Sequence, residues 1–150
     1  MKLYLAGSLF NEAQVNQRKL EGKILRERFP QLDIFNPIEQ PFNENKQSLP
    51  TSIEIYEGDT KAVEDCDIFI ADLSDNDTGV ACELGIALYT DTKIIIGIHS
   101  DIRIPSANKY YVPTVGMNHY ILGAVEKFGH MAYSFQEACD ILEEELKKLG

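Results

Sequence analysis

The chain has 150 residues, 44% of them hydrophobic, with 14 Lys and Arg against 24 Asp and Glu for a formal net charge of −10. That length suits one domain, residues 1–150, able to bury roughly two-thirds of its unfolded surface without a disulfide or metal staple. The acid excess excludes a protein that grips nucleic acid or an anionic membrane through clustered Lys and Arg, and the near-average composition excludes disorder. No apolar run approaches the ~20 residues of a membrane span, and Met1 to Gly7 gives way to polar Asn11 and Glu12 rather than a signal-peptide core. A cytoplasmic setting is expected. Cys66, Cys82 and Cys139 are odd in number and lack metal-pair spacing, which predicts reduced, mostly buried thiols.

In chain order, Lys2 to Ala6 reads as a strand stopped at Gly7-Ser8. Asn11 to Phe29 reads as a helix that sets Leu20, Ile24, Leu25 and Arg28 or Phe29 at helical spacing. Asp33 to Phe35 is a second strand, and residues 37 to 52, with Pro37, Pro41 and Pro50, form a long surface loop of the kind that covers a site. A short helix over Ile53 to Asp65 leads into Asp67 to Asp72, an apolar run bounded by acids that suits a parallel strand buried on both faces. After the polar turn Leu73 to Gly79, Val80 to Tyr89 carries Val80, Leu84, Ala87 and Leu88 on one helical stripe, and Lys93 to Ile98 is again a solid strand. Met117 to Lys127 is a helix and Met131 to Tyr133 an edge strand. Ser134-Phe135-Gln136-Glu137 is a capping box that opens a terminal helix reaching Leu149.

Five strands alternating with helices predict an α/β fold, a flavodoxin-like doubly wound five-stranded parallel sheet whose crevice lies outside the carboxyl ends of the strands. Tyr4 to Phe10, Asp72 to Glu83 and His99 to Asp101 are delivered there. Gly7-Ser8 lacks the further glycines of a dinucleotide loop, no Walker lysine follows, and HExxH and GxSxG are absent. Asp72 to Gly79 fails as a calcium loop, because Ser74 and Thr78 stand at carboxylate positions and Gly85 where a bidentate Glu belongs. No metal or cofactor is expected.

What remains is acid. Asp72, Asp75, Asp77 and Glu83 crowd one strand-to-helix junction, with Asp59 on the preceding helix and Asp65 and Asp67 flanking the strand. Glu83 lies off the buried stripe of its helix and is free to face the crevice, near a helix end that favours the ionised form. Such a carboxylate suits attack on an anomeric carbon while a second acid protonates the leaving group. The same spacing also fits a solvated turn and helix cap.

Tyr4-Leu5-Ala6-Gly7 with Phe10 and Gln14, then Asp59, then Asp77-Thr78-Gly79-Val80-Ala81-Cys82-Glu83-Leu84-Gly85, and Asn118 downstream, resemble the nucleoside 2-deoxyribosyltransferases over roughly residues 2 to 125. The resemblance implies a flavodoxin-like fold and exchange of purine or pyrimidine bases on 2′-deoxyribose through a covalent deoxyribosyl-glutamate, without metal or cofactor. It makes Glu83 the nucleophile, Tyr4 the residue that orients it, Asp77 the holder of the sugar's hydroxyl end, and Asp59 the group beside the base that supplies and retrieves a proton. Gly7 and Gly79 would line the substrate, and Phe10 and Gln14 would stack on and recognise the base. Asn118 would reach a neighbouring subunit's site in a dimer-based homo-oligomer, up to a hexamer. Each role has a plainer counterpart: a strand-end core aromatic for Tyr4, a helix-start cap for Asn118, and packing or solvent exposure for Phe10 and Gln14.

The chain departs from the family where some members bring a C-terminal aromatic carboxylate into the adjacent site, since Leu142 to Gly150 is a charged helix, and residues 36 to 55 align least well. A competing reading is a hydrolase of deoxynucleoside 5′-monophosphates, which usually places Ser near Asp77. Asp75 and Asp77, in a site short of basic groups, would repel such a dianion. A binding module that holds a nucleoside without turning it over is the third reading. His99, His119 and His130 have no spacing that gives them a role.

Overall fold

Five strands pair side by side, all parallel, in the order β2-β1-β3-β4-β5. In the computed structural model, which describes residues 1–41, 50–101 and 116–150, they are β1 (Lys2–Ala6), β2 (Asp33–Phe35), β3 (Ile68–Asp72), β4 (Ile94–Ile98) and β5 (His130–Ala132). The helices are α1 (Glu12–Arg28), α2 (Ser52–Glu64), α3 (Thr78–Leu88), α4 (His119–Phe128) and α5 (Phe135–Leu149). This is the predicted flavodoxin-like sandwich. Of the expected covering loop, Pro37–Glu39 forms a 3₁₀ turn, and residues 42–49 lie outside the described residues. Among the described residues no helix is long and apolar enough to cross a membrane.

Strand alternation divides the core into two layers. Leu3, Leu5, Ile68, Ile70 and Ile96 face Leu25 of α1, Phe29 just past its end, and Ala138, Cys139 and Leu142 of α5. Tyr4, Ala6, Phe69 and Ala71 face the other way, onto Val63 of α2, Val80, Leu84 and Ala87 of α3, and Val125 of α4. β3 has neighbours on both edges and helices on both faces, which is why its sequence is apolar without alternation. Helix starts follow local chemistry: Asn11 and Thr51 cap α1 and α2 in full capping boxes with Gln14 and Glu54.

Three expectations are corrected. Leu20 is exposed, because the inward stripe of α1 runs through Arg18, Glu21, Gly22 and Leu25 instead. Cys82 is exposed while Cys66 and Cys139 are buried, since Cys82 lies on the outer face of α3 opposite Leu84 and Ala87. At Ser134 only half the capping box forms: Ser134 Oγ accepts from Glu137 N, but Glu137 Oε2 accepts from Tyr133 N at 2.7 Å, one residue earlier than a box requires.

Candidate active site

Tyr4 stands at the middle of β1, and its pairing partners, Phe35 on β2 and Phe69 on β3, stack on it at 5.3 and 5.7 Å between ring centroids. The ring has no freedom to turn, so its hydroxyl has one direction. It donates to Glu83 Oε1 at 2.8 Å. The core-aromatic and orienting readings of Tyr4 therefore describe one residue: the ring packs and the hydroxyl aims.

Glu83 and Asp59 line a hollow of about 320 Å³ with Gly7, Leu9, Phe10, Pro37, Ile55, Asp77, Gly79 and Val80. That volume is at the lower end for a small-molecule site. Burial lifts the Glu83 carboxyl to about 7; the Tyr4 hydrogen bond pulls it back, and Asp59 and Asp77 push it further up. Glu83 sits beyond the first turn of α3, where the ionising influence of the helix end fades. Asp59 is also raised by burial. Tyr4 is held far above its ordinary value, by burial first and then by Glu83 and Asp59, so the phenol stays protonated. Burial thus raises both acids of the hollow above the usual carboxylate range.

Asp77 caps α3: its Oδ1 accepts from Gly79 N at 2.8 Å and Val80 N at 3.2 Å, and its Oδ2 accepts from Ser8 Oγ at 3.0 Å. Helix cap and hollow wall are again the same side chain. Phe10 is 79% exposed at the rim. Gln14 is tied down at both ends: Oε1 accepts from Phe10 N and Asn11 N, and Nε2 donates to Asp75 Oδ2 at 2.8 Å. It clamps the two loops together beside a second opening lined by Ser8, Phe10, Asp75 and Asp77. Asn118 caps α4 through Tyr120 N and Ile121 N and stands outside the Glu83 hollow, on a neighbouring one of about 470 Å³ that shares Asp77 with it. The structure thus brings Gly7, Phe10, Asp59, Asp77, Gly79 and Glu83 to one cavity, sets Tyr4 behind it on Glu83, places Gln14 beside it, and leaves Asn118 apart.

The carboxylate crowd is smaller than the sequence suggested. Asp65 and Asp67 lie at the opposite, amino end of β3, where Asp65 meets Lys2 and Lys61 and Asp67 accepts from Lys2 N at 2.9 Å and Lys93 Nζ at 2.7 Å. Asp72 turns to the α1 side of the sheet, accepts from Arg18 Nη2 at 2.8 Å, and accepts from Ser74 N at 3.0 Å. Hydrogen bonds from Ser74 and Arg18 outweigh its burial and hold it below the usual carboxylate range. Sequence reasoning missed Arg18, the buried partner of Asp72. Its signal was its place on the same helical stripe as Leu25 and Phe29, three residues before Glu21. Among the described residues, no three His, Cys, Asp or Glu side chains gather in a way that would hold a metal ion.

A family model described as nucleoside 2-deoxyribosyltransferase matches residues 3–137. An uncharacterized protein of Ureaplasma parvum serovar 3 is 35% identical over 107 residues, 66% of this chain and 68% of that protein. Among solved structures, a conserved protein from Enterococcus faecalis V583 superposes with a TM-score of 0.79 at 22% identity, covering 96% of this chain and 98% of that one. A 2-deoxyribosyltransferase from Bacillus psychrosaccharolyticus gives 0.65 at 19% identity, covering 92% and 90%. The CMP N-glycosidase BcmB of Clostridium botulinum gives 0.55 at 17% identity, covering 95% and 98%. These structural likenesses share the fold.

Proposed function

Because the chain belongs to the nucleoside 2-deoxyribosyltransferase family, we propose that it moves a 2-deoxyribosyl group between purine or pyrimidine bases by double displacement with retention at C1′. The observation that carries this reading is the Tyr4 hydroxyl fixed 2.8 Å from Glu83 Oε1 in a hollow that also holds the half-buried acid Asp59. With Oε1 engaged, Oε2 of ionised Glu83 attacks C1′. The N-glycosidic bond breaks, and Asp59 in its protonated form delivers a proton to the leaving nitrogen. A deoxyribosyl ester on Glu83 and an Asp59 carboxylate remain. An incoming base then attacks C1′ from the opposite face, gives its proton to Asp59, and releases the Glu83 carboxylate. Tyr4 does not donate its proton in either half: it steadies the carboxylate that leaves and returns.

Asp77, pointed into the hollow from the α3 cap, would take the sugar's hydroxyl end, and Phe10 at the rim would meet the base. A substrate lacking the 2′-hydroxyl reaches the oxocarbenium-like state more readily, so 2′-deoxynucleosides are the favoured class. Phe10, Ile55 and Tyr120 are exposed apolar groups that line the hollows, which suits a homo-oligomer in which Asn118 completes a neighbouring site. The three free thiols fit a reducing, cytoplasmic compartment.

The test is a mixture of deoxyinosine and free adenine. Appearance of deoxyadenosine supports transfer; hypoxanthine released without exchange would mean that water, not a base, resolves the ester, as in a glycosidase; no reaction would leave a binding module. A 5′-monophosphate should be a poorer substrate than the nucleoside, because Asp75 and Asp77 line the opening beside the hollow and would repel a phosphate entering it.

A further inference from the structure

One residue of α1 touches the carboxyl ends of all three strands that carry the site. The Arg18 side chain is 3% exposed. Its Nη2 donates to Asp72 Oδ2, at the end of β3, at 2.8 Å and to Glu21 Oε1 at 3.1 Å. Its Nη1 lies flush beneath Gly7, just past β1, where a Cβ would sit 1.7 Å away. Its main-chain carbonyl accepts from Asn36 Nδ2, just past β2, at 2.8 Å, and the following Pro37 lines the Glu83 hollow.

Holding α1 to the sheet does not require a buried guanidinium. An apolar stripe would do so without the desolvation of three charged groups, and buried ion pairs are often no more stabilising than hydrophobic replacements. What the planar fork adds is direction, because a guanidinium engaged by Glu21 on one side and Asp72 on the other has little room to shift. It forms the bed on which Gly7 rests. Ser8 follows directly, and its hydroxyl donates to Asp77 Oδ2, the carboxylate whose other oxygen caps α3.

The geometry points to Arg18 as a positioning residue for the sugar-binding side of the site: acting through Gly7 and Ser8, it sets the direction of the Asp77 carboxylate without touching substrate. The inference rests on the functional reading above for the role of Asp77. Arg18 is not among the groups that shift Glu83, which are Tyr4, Asp59 and Asp77 in addition to burial. Its direct influence is therefore on binding geometry, and it reaches the nucleophile only through Asp77.

Arg18→Ala would strip Asp72 and Glu21 of their counter-charge and test only folding, so the informative variants are Arg18→Lys, which keeps the charge and loses the fork, and Ser8→Ala, which cuts the chain of contacts downstream. Transfer is measured with a 2′-deoxynucleoside and with analogues that also lack the 5′- or the 3′-hydroxyl. In each variant KM for the intact nucleoside should rise about tenfold with kcat changed less than about threefold. That rise should vanish for the analogue lacking the hydroxyl that Asp77→Ala identifies, and the double variant should be no worse than either single one. An equal rise for every analogue overturns the proposal. A second readout needs no turnover: the Gly79 and Val80 amides, which donate to Asp77 Oδ1, should shift in NMR spectra of both variants. Unmoved amides also overturn it. A wild type inert in base exchange would contradict the functional reading, while the amide shifts would still decide the role of Arg18.

Discussion

The two ends of β3 carry the same kind of residue in opposite electrostatic states. At the amino end, Asp67 accepts hydrogen bonds from Lys93 and from the Lys2 amide, and these hold its carboxyl below the ordinary range. Past the carboxyl end, Glu83 and Asp59 sit half-buried, with no Lys or Arg paired to either among the described residues, and burial lifts both. One set of acids is at rest and the other is held under electrostatic stress. Groups in the second state are the ones able to pass a proton or attack carbon near neutral pH, so the site is marked by acids whose burial is not offset by a cation among the described residues rather than by their number.

Substitutions can break this contrast, and the largest effect belongs to Glu83. Glu83→Ala should lower transfer by about 10⁴-fold while circular dichroism stays unchanged; turnover near the wild-type rate would remove the nucleophile from the account. Asp59→Asn should cost about 10²- to 10³-fold with ordinary nucleosides. A deoxyriboside whose leaving group needs no proton, such as a nitrophenolate, should largely escape that loss. An equal loss on both substrates would mean that Asp59 binds rather than donates.

Tyr4→Phe keeps the ring stack and removes only the hydroxyl, so a loss of roughly ten- to a hundredfold is expected. Its pH profile carries more information than its rate. The Tyr4 hydrogen bond lowers the Glu83 pKa, and deleting it should move the acid limb, near 7 in the wild type, to higher pH. An acid limb that stays in place would detach Tyr4 from Glu83.

The contrast also predicts stability. Glu83 has a folded pKa near 7 against 4.5 in a model peptide, so between those values the native state holds more protons than the unfolded one and stability falls as pH rises. Replacing it by Gln should therefore stabilise the protein at pH 8, by about 1–3 kcal/mol once the remaining solvent contact is allowed for, with little change below pH 4.5. Asp67 works in the opposite sense: its folded pKa is lowered, so its contribution is present above the unfolded value and lost as pH falls. Lys93→Ala should cost no more than ~1 kcal/mol, because the pair it breaks is largely exposed. Thermal melts of both variants across pH 4–8 check the two signs.

Most of the sheet was legible because buried parallel strands announce themselves as short apolar runs, and Ile68 to Asp72 and Ile94 to Ile98 are such runs. Glu83 was legible because it falls beside the stripe of Val80, Leu84 and Ala87. Arg18 was not, since a charge on an inward stripe reads as solvent until its partners are known, and Asp72 and Asn36 are 54 and 18 residues away in sequence. The fate of Asp72 was hidden for the same reason: strand alternation decides which face it joins, and Asp72 follows Ile68 and Ile70 to the α1 side. Whether Glu83 would be ionised was also out of reach, because burial depends on the packed hollow rather than on the helix position.

The central claim is that Glu83 becomes covalently attached to the sugar. Mixing the protein with a 2′-deoxynucleoside, denaturing it in acid and sequencing its peptides by mass spectrometry tests this directly. The account predicts one deoxyribosyl adduct on the peptide containing Glu83, discharged when a free base is added before denaturation. An adduct on another residue, or base exchange with no adduct under single-turnover conditions, would contradict it.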